Sequence, residues 1–144
     1  MPTYIFDTDA GPDDVMALAY LLALDNVEIE AITISYGLAH GEQGAVNLAK
    51  VAALSGKGDI PVYIGRDRPL QGDAAFPNAW RYISDTLPGV DLPTAFRPPE
   101  REPAAAFLKN RMCDAARPVR ILALELLESR AVRRASSSGC DSRP

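Results

Sequence analysis

Histidine, tryptophan and cysteine are almost missing from this chain, with one His, one Trp and two Cys in 144 residues. Cys113 and Cys140 form neither a disulfide framework nor a metal-ligand spacing, and a reducing compartment is the expectation. Excess positive charge is lacking too. The formal net charge is −4, and no basic stripe appears ahead of the C-terminal region, which argues against nucleic acid as a partner. No apolar run reaches spanning length; Val15 to Leu24 is too short against the roughly 20 residues a bilayer requires. The chain enters a strand-like run at once, with no basic segment followed by an apolar one, so no secretory signal is expected. A cytoplasmic protein with neither membrane nor nucleic-acid partner is the expectation.

What is present suits one globular domain: 47% hydrophobic and 24% charged residues in a length too short for two ordinary domains. Residues 3–8 (TYIFDT) read as a buried strand. Pro12 then precedes Asp13 and Asp14, either of which can cap a helix running to Leu24. That helix is apolar on almost every face, which suits burial against a sheet. Val27 to Ile34 reads as a second strand, outer and half-exposed at its start and buried near its end. A loop over 37–41, a helix over 42–54 and a strand over 60–65 follow. The β-α-β-α-β order predicts a parallel α/β sheet with its ligand edge at the strand carboxyl ends, where Asp9, Gly37 and Gly65 would lie. Residues 66–103, rich in Pro and Gly, read as a long excursion over that edge. A helix over 103–115 and a strand over 119–124 complete the readable part. Residues 125–144 carry four Arg and end in a Ser-rich stretch with the composition of a disordered tail.

The specific chemical signal is Asp7-Thr8-Asp9-Ala10-Gly11-Pro12-Asp13-Asp14. Four carboxylates this close repel one another unless a cation or solvent relieves them. At the carboxyl end of a first strand they form a candidate site for a hard metal ion. The bland alternative is an Asp-rich helix cap on a solvated surface.

This motif, followed by Ala17-Leu18, closely resembles the N-terminal signature of the calcium-dependent, inosine-uridine preferring nucleoside hydrolases. Ile32-Thr33-Ile34-Ser35-Tyr36-Gly37, Asn47 in the following helix, Asp59 to Gly65 with Arg68-Pro69-Leu70, and Pro118 to Leu124 match that family's later segments in order. The resemblance covers residues 3–124. It implies an α/β fold with a mostly parallel open sheet and flanking helices around a Rossmann-like core, incomplete in this chain. It implies hydrolysis of the N-glycosidic bond of ribonucleosides, in nucleoside catabolism or salvage, with Ca2+ as cofactor. By resemblance Asp9 and Asp14 ligate calcium, Asp9 also takes a proton from the attacking water, Asp13 holds the ribose hydroxyls, and Asp7 and Asn47 support the site. His40, the lone histidine, is a candidate substrate contact. Trp80 and Tyr82 could stack on a base, although packing is their plainer role. Family members commonly oligomerise, so a homo-oligomer is a further expectation.

Two departures qualify the resemblance. The family usually has Asn after the glycine of the second strand's turn, where this chain has Leu38. Its Gly-Pro-Leu-Thr-Asn turn is replaced by Glu125-Leu126-Leu127-Glu128-Ser129-Arg130, and its later half supplies a further calcium-binding Asp, a backbone ligand and a His near the leaving base. Residues 1–124 are therefore expected to form the family's N-terminal part and 125–144 a tail, read here as out of frame. Weakened calcium binding, marginal folding and little or no activity follow as expectations, with a non-catalytic pseudoenzyme as the alternative function. A haloacid-dehalogenase-like, magnesium-dependent phosphatase with Asp7 as nucleophile is a third reading. It is weakened by Gly11, where that family wants Thr or Val.

Overall fold

The alternation of short apolar runs with helical ones produces an all-parallel, four-stranded sheet with helices on both faces. The computed structural model describes residues 1–69, 72, 75–114 and 118–124. Along these the elements are β1 (Thr3–Thr8), α1 (Pro12–Leu22), β2 (Glu28–Ile34), α2 (Gly41–Leu54), β3 (Val62–Ile64), α3 (Asn78–Thr86), α4 (Ala104–Met112) and β4 (Arg120–Ala123). The strand order is β3-β2-β1-β4, and each neighbouring pair is parallel. β2 is thus an interior strand, not the outer one expected; only its first residue, Glu28, is exposed. The anticipated tail, 125–144, lies outside the described residues.

Side chains alternate across β1 because successive Cβ atoms point to opposite faces. Phe6 joins Ile32 and Ile34 in the main core, which Leu18 and Leu22 of α1 and Leu48 and Val51 of α2 close from above. Ile5 and Ala31 face the other way and meet Leu108 of α4. Tyr63 and Phe107 extend that smaller cluster, their rings stacked 4.0 Å apart. The register of β1 on β2 shifts between Tyr4 and Ile5, leaving Glu30 as an extra residue on β2. The Glu30 carboxylate receives both Nε (2.6 Å) and Nη2 (2.9 Å) of Arg111, tying α4 to the sheet.

Four readings are corrected. The helix after β1 is capped by neither Asp13 nor Asp14: Gly11 is the N-cap, Pro12 opens the helix, and both aspartates stand in its first turn. Nor is that helix buried all round, since Met16 and Tyr20, one turn apart, are 73% and 67% exposed. The excursion over 66–103 contains a helix, α3, entered from Pro77 and ended by Leu87 in the left-handed region at φ 42°. Cys113 is not a free thiol, which departs from the reduced cysteines expected.

Candidate functional site

β1 ends where its pleat divides the acidic motif between two environments. Asp7 shares the α4 face with Ile5 and stands opposite Thr33 in register. The Thr33 hydroxyl donates to Asp7 Oδ1 at 2.5 Å. Burial raises the Asp7 carboxyl above its ordinary range, against which that hydrogen bond works. Thr8 points to the opposite face and donates its hydroxyl to Asp14 Oδ2 at 2.6 Å. The same hydroxyl accepts the Ala10 N–H at 2.9 Å. Ala10 sits at φ 57°, a left-handed conformation that costs a non-glycine residue of order 1 kcal/mol and turns the chain sharply into α1.

Asp9 lies at the centre of this turn, buried and held from both sides. Its Oδ1 accepts the Gly11 N–H at 3.1 Å and its Oδ2 the Leu38 N–H at 3.2 Å. Its backbone carbonyl accepts the Ala39 N–H at 3.2 Å. Hydrogen bonds to an ionised carboxylate are stronger than neutral ones, so they fix the side chain's direction. Gly37 is required by proximity: any Cβ there would overlap the Asp9 side chain. The glycine turn after β2 therefore lies against the acidic turn after β1, as the ligand-edge reading anticipates.

Asp14 is buried in the first turn of α1, whereas Asp13 beside it is exposed. Desolvation pushes Asp14 up to about 6, with the Asp9 and Asp13 charges adding to the rise and the Thr8 hydrogen bond opposing it. A buried carboxylate crowded by two others, with only hard oxygen donors nearby, fits a calcium-type cation in its chemistry. The helix N-terminus contributes a favourable field for these anions but is no substitute for a counter-charge. Among the described residues no three His, Cys, Asp or Glu groups converge as a ready metal cluster. The fit is one of donor type, not of ligand number.

His40 and Asn47 both reach α3. His40 Nδ1 lies 2.6 Å from Asp85 Oδ2 on α3, so its ring is engaged by a carboxylate outside the acidic motif. Asn47 Nδ2 donates to the carbonyls of Ser84 (3.1 Å) and Asp85 (2.9 Å), and Gln43 braces its Oδ1 at 3.0 Å. Trp80 and Tyr82 are exposed on α3. The residues that sequence reasoning passed over are Thr8, Thr33 and Asp85. The signal for Thr33 was available: aligning the two strands in parallel places it directly beside Asp7. Asp85 had no local signal, because its partner is 45 residues away.

Residues 4–126 match the family model described as inosine-uridine preferring nucleoside hydrolase. A pyrimidine-specific ribonucleoside hydrolase, RihA, of Citrobacter koseri is 30% identical over 119 residues, covering 83% of this chain and 38% of that protein. Uridine nucleosidase 1 of Arabidopsis thaliana is 30% identical over 120 residues, covering 83% and 36% respectively. The crystal structure of an inosine-uridine preferring nucleoside hydrolase from Bacillus anthracis superimposes with a TM-score of 0.75 at 24% identity. That comparison covers 96% of this chain and 46% of the other, and speaks for the fold. The chain thus spans less than half the length of each of these three proteins. With the parallel sheet, the acidic turn at its carboxyl edge and a family match over most of its length, the chain belongs to the inosine-uridine preferring nucleoside hydrolases.

Proposed function

We propose that this chain carries the cation- and ribose-binding half of a ribonucleoside N-ribohydrolase site, with residues 1–124 as the unit that bears it. The observation that supports this reading most is the locked Asp9, pinned by the N–H groups of Gly11 and Leu38 beside the buried Asp14. Asp9 and Asp14 would hold Ca2+, whose chemistry when bound is to make water acidic enough to attack at neutral pH. Asp9, already oriented, takes the proton released as water adds to the ribose anomeric carbon. The C–N bond breaks through an oxocarbenium-like state, its electron pair leaving with the base, which takes up a proton from solvent as it departs. Asp13, exposed at the start of α1, accepts hydrogen bonds from ribose hydroxyls and fixes the sugar for attack. Asp7, turned to the other face and bonded to Thr33, supports β1 without meeting substrate.

The names of the relatives point to ribonucleosides as the substrate class, and the site would serve nucleoside breakdown or salvage. Among the described residues no helix is long and apolar enough to cross a membrane. The cytoplasm is the compartment we propose, and a homo-oligomer the assembly.

One observation favours a second reading, a chain that binds the cation weakly and does not turn over. Calcium takes six to eight oxygens, and the described residues bring together two buried carboxylates for it. A single pair of measurements on the full chain decides. Calcium titration followed by calorimetry, with Asp9→Asn as control, should show binding that the variant loses. Base release from uridine, cytidine and inosine should then be absent or slow. Brisk cleavage would remove the second reading; no calcium response in the wild-type chain would remove the first.

A further inference from the structure

We infer that Asp85 is a positioning residue for Asp9, acting through His40 on the loop 37–40. The loop touches Asp9 at two places, the Leu38 N–H on Oδ2 (3.2 Å) and the Ala39 N–H on the backbone carbonyl (3.2 Å). What fixes the loop itself lies on α3. The Asp85 carboxylate grips His40 with both oxygens, Oδ1 accepting the His40 N–H at 2.9 Å and Oδ2 facing Nδ1 at 2.6 Å. The far side of the loop enters α2 through the Gly44 N–H, which donates to the His40 carbonyl at 2.8 Å. α2 has no side-chain cap of its own, so Asp85 supplies from another helix the anchor that the sequence before α2 does not.

Asp85 is in turn held rigidly. Asn47 donates to the Ser84 and Asp85 carbonyls, and Leu87, turned inward by its left-handed backbone, is buried in the main core. The route of force is therefore continuous: core, end of α3, Asp85, His40, loop, Asp9. Only the last link touches the acidic motif.

The strength of this link lies in orientation. The His40 side chain is 59% exposed, and a pair so open to solvent contributes little to global stability. Removing it should leave the fold intact while loosening the loop. This separates a positioning role from a merely structural one. The consequence for cation binding rests on the proposed function; the positioning does not.

The test uses the full chain and two readouts. Amide hydrogen exchange in 15N-labelled protein reports the Leu38 and Ala39 N–H groups, with the Ile32 and Lys57 amides, bonded to the carbonyls of Pro61 and Ala52, as internal references. In Asp85→Ala, protection at Leu38 and Ala39 should fall about tenfold while the references hold. Asp85→Asn, which keeps an acceptor for the His40 N–H, should recover most of it. Terbium luminescence with Tb3+ as the probe should show affinity falling about tenfold in Asp85→Ala and recovering in Asp85→Asn. Unchanged protection at Leu38 and Ala39 in Asp85→Ala overturns the inference. Should that variant lose its native spectrum, His40→Ala, which removes only an exposed ring, carries the test: local protection must drop there too, and no change overturns the inference. If wild-type chain binds no Tb3+, the cation reading fails, and the exchange comparison still decides the positioning.

Discussion

Asp14 has two charges of its own sign beside it, Asp9 and Asp13, and burial lifts its carboxyl from 3.8 to about 6. A folded-state value above the unfolded one means the folded chain holds its proton longer. Its contribution to stability is full below about pH 4 and is lost as pH rises through about 6. Two pK units correspond to about 3 kcal/mol, an upper figure for one site. Asp7, raised in the same direction by burial, adds with the same sign. The metal-free chain should therefore melt at a higher temperature at pH 5.5 than at pH 7.5, and saturating calcium should remove most of that difference. Asp14→Asn keeps an acceptor for the Thr8 hydroxyl and removes the charge. It should be more stable than wild type at pH 7.5 in EDTA and indifferent to calcium. A melting temperature that is flat with pH in EDTA, or a variant that still responds to calcium, would contradict the assignment of strain to this carboxylate. The four aspartates Asp7, Asp9, Asp13 and Asp14 were legible as a motif because they fall within eight residues. Their division by the pleat, Asp7 to Thr33 and Thr8 to Asp14, needed the strand register.

Helices and strands were legible where apolar periodicity and packing agree. α2 buries Gly44, Ala45, Leu48, Val51 and Ala52, positions three and four apart that mark one face. α3 was not legible, because its only buried member is Ser84 and its large apolar residues Trp80, Tyr82 and Ile83 are exposed. Its place is set by bonds from Asn47 and His40, which no local pattern announces. The bulge at Glu30 was equally silent, since one extra residue on a parallel strand leaves no mark in composition. Yet that residue anchors α4. Arg111 is 7% exposed, and its guanidinium meets Glu30 through two bonds. Removing Arg111 leaves the Glu30 carboxylate, 26% exposed, without its partner, at about 1–3 kcal/mol. Arg111→Ala should lower stability in urea by that order. Glu30→Gln with Arg111→Met, which removes both charges, should lose less than Arg111→Ala alone. Equal losses would show that Arg111 acts by its bulk.

Among the described residues the two faces of the sheet are unequally covered, and this sets which described elements open first. Above it, α1 and α2 close a core that includes Phe6, Leu18, Ile32, Ile34 and Leu48. Below it, the buried set is Ile5, Ala31 and Leu108. β4 pairs with β1 alone among the described strands, and Ile121 and Leu124 are 36% and 39% exposed. Local opening draws on the regions with least buried apolar contact, so β4 and α4 should exchange their amides by a lower-energy route than β1 and β2. A large-to-small change should cost in the same order. Leu48→Ala, fully buried in the main core, should lose about 2–5 kcal/mol. Ile121→Ala, partly solvated, should lose under about 1 kcal/mol. The consequence for function follows from the main-chain bond between Leu124 N–H and the Asp7 carbonyl, 2.9 Å long, which joins the weakly held strand to the start of the acidic turn. Asp9 and Asp14 are fixed from the well-packed face, by Leu38, Thr8 and α1, so the turn should remain ordered while β4 opens. Native-state exchange in increasing urea is the measurement: β4 amides should reach the solvent-exchanging state ahead of Leu38 and Ala10. If all of them merge into one isotherm from the lowest urea, the sheet opens as a single unit and the acidic turn has no stability independent of β4.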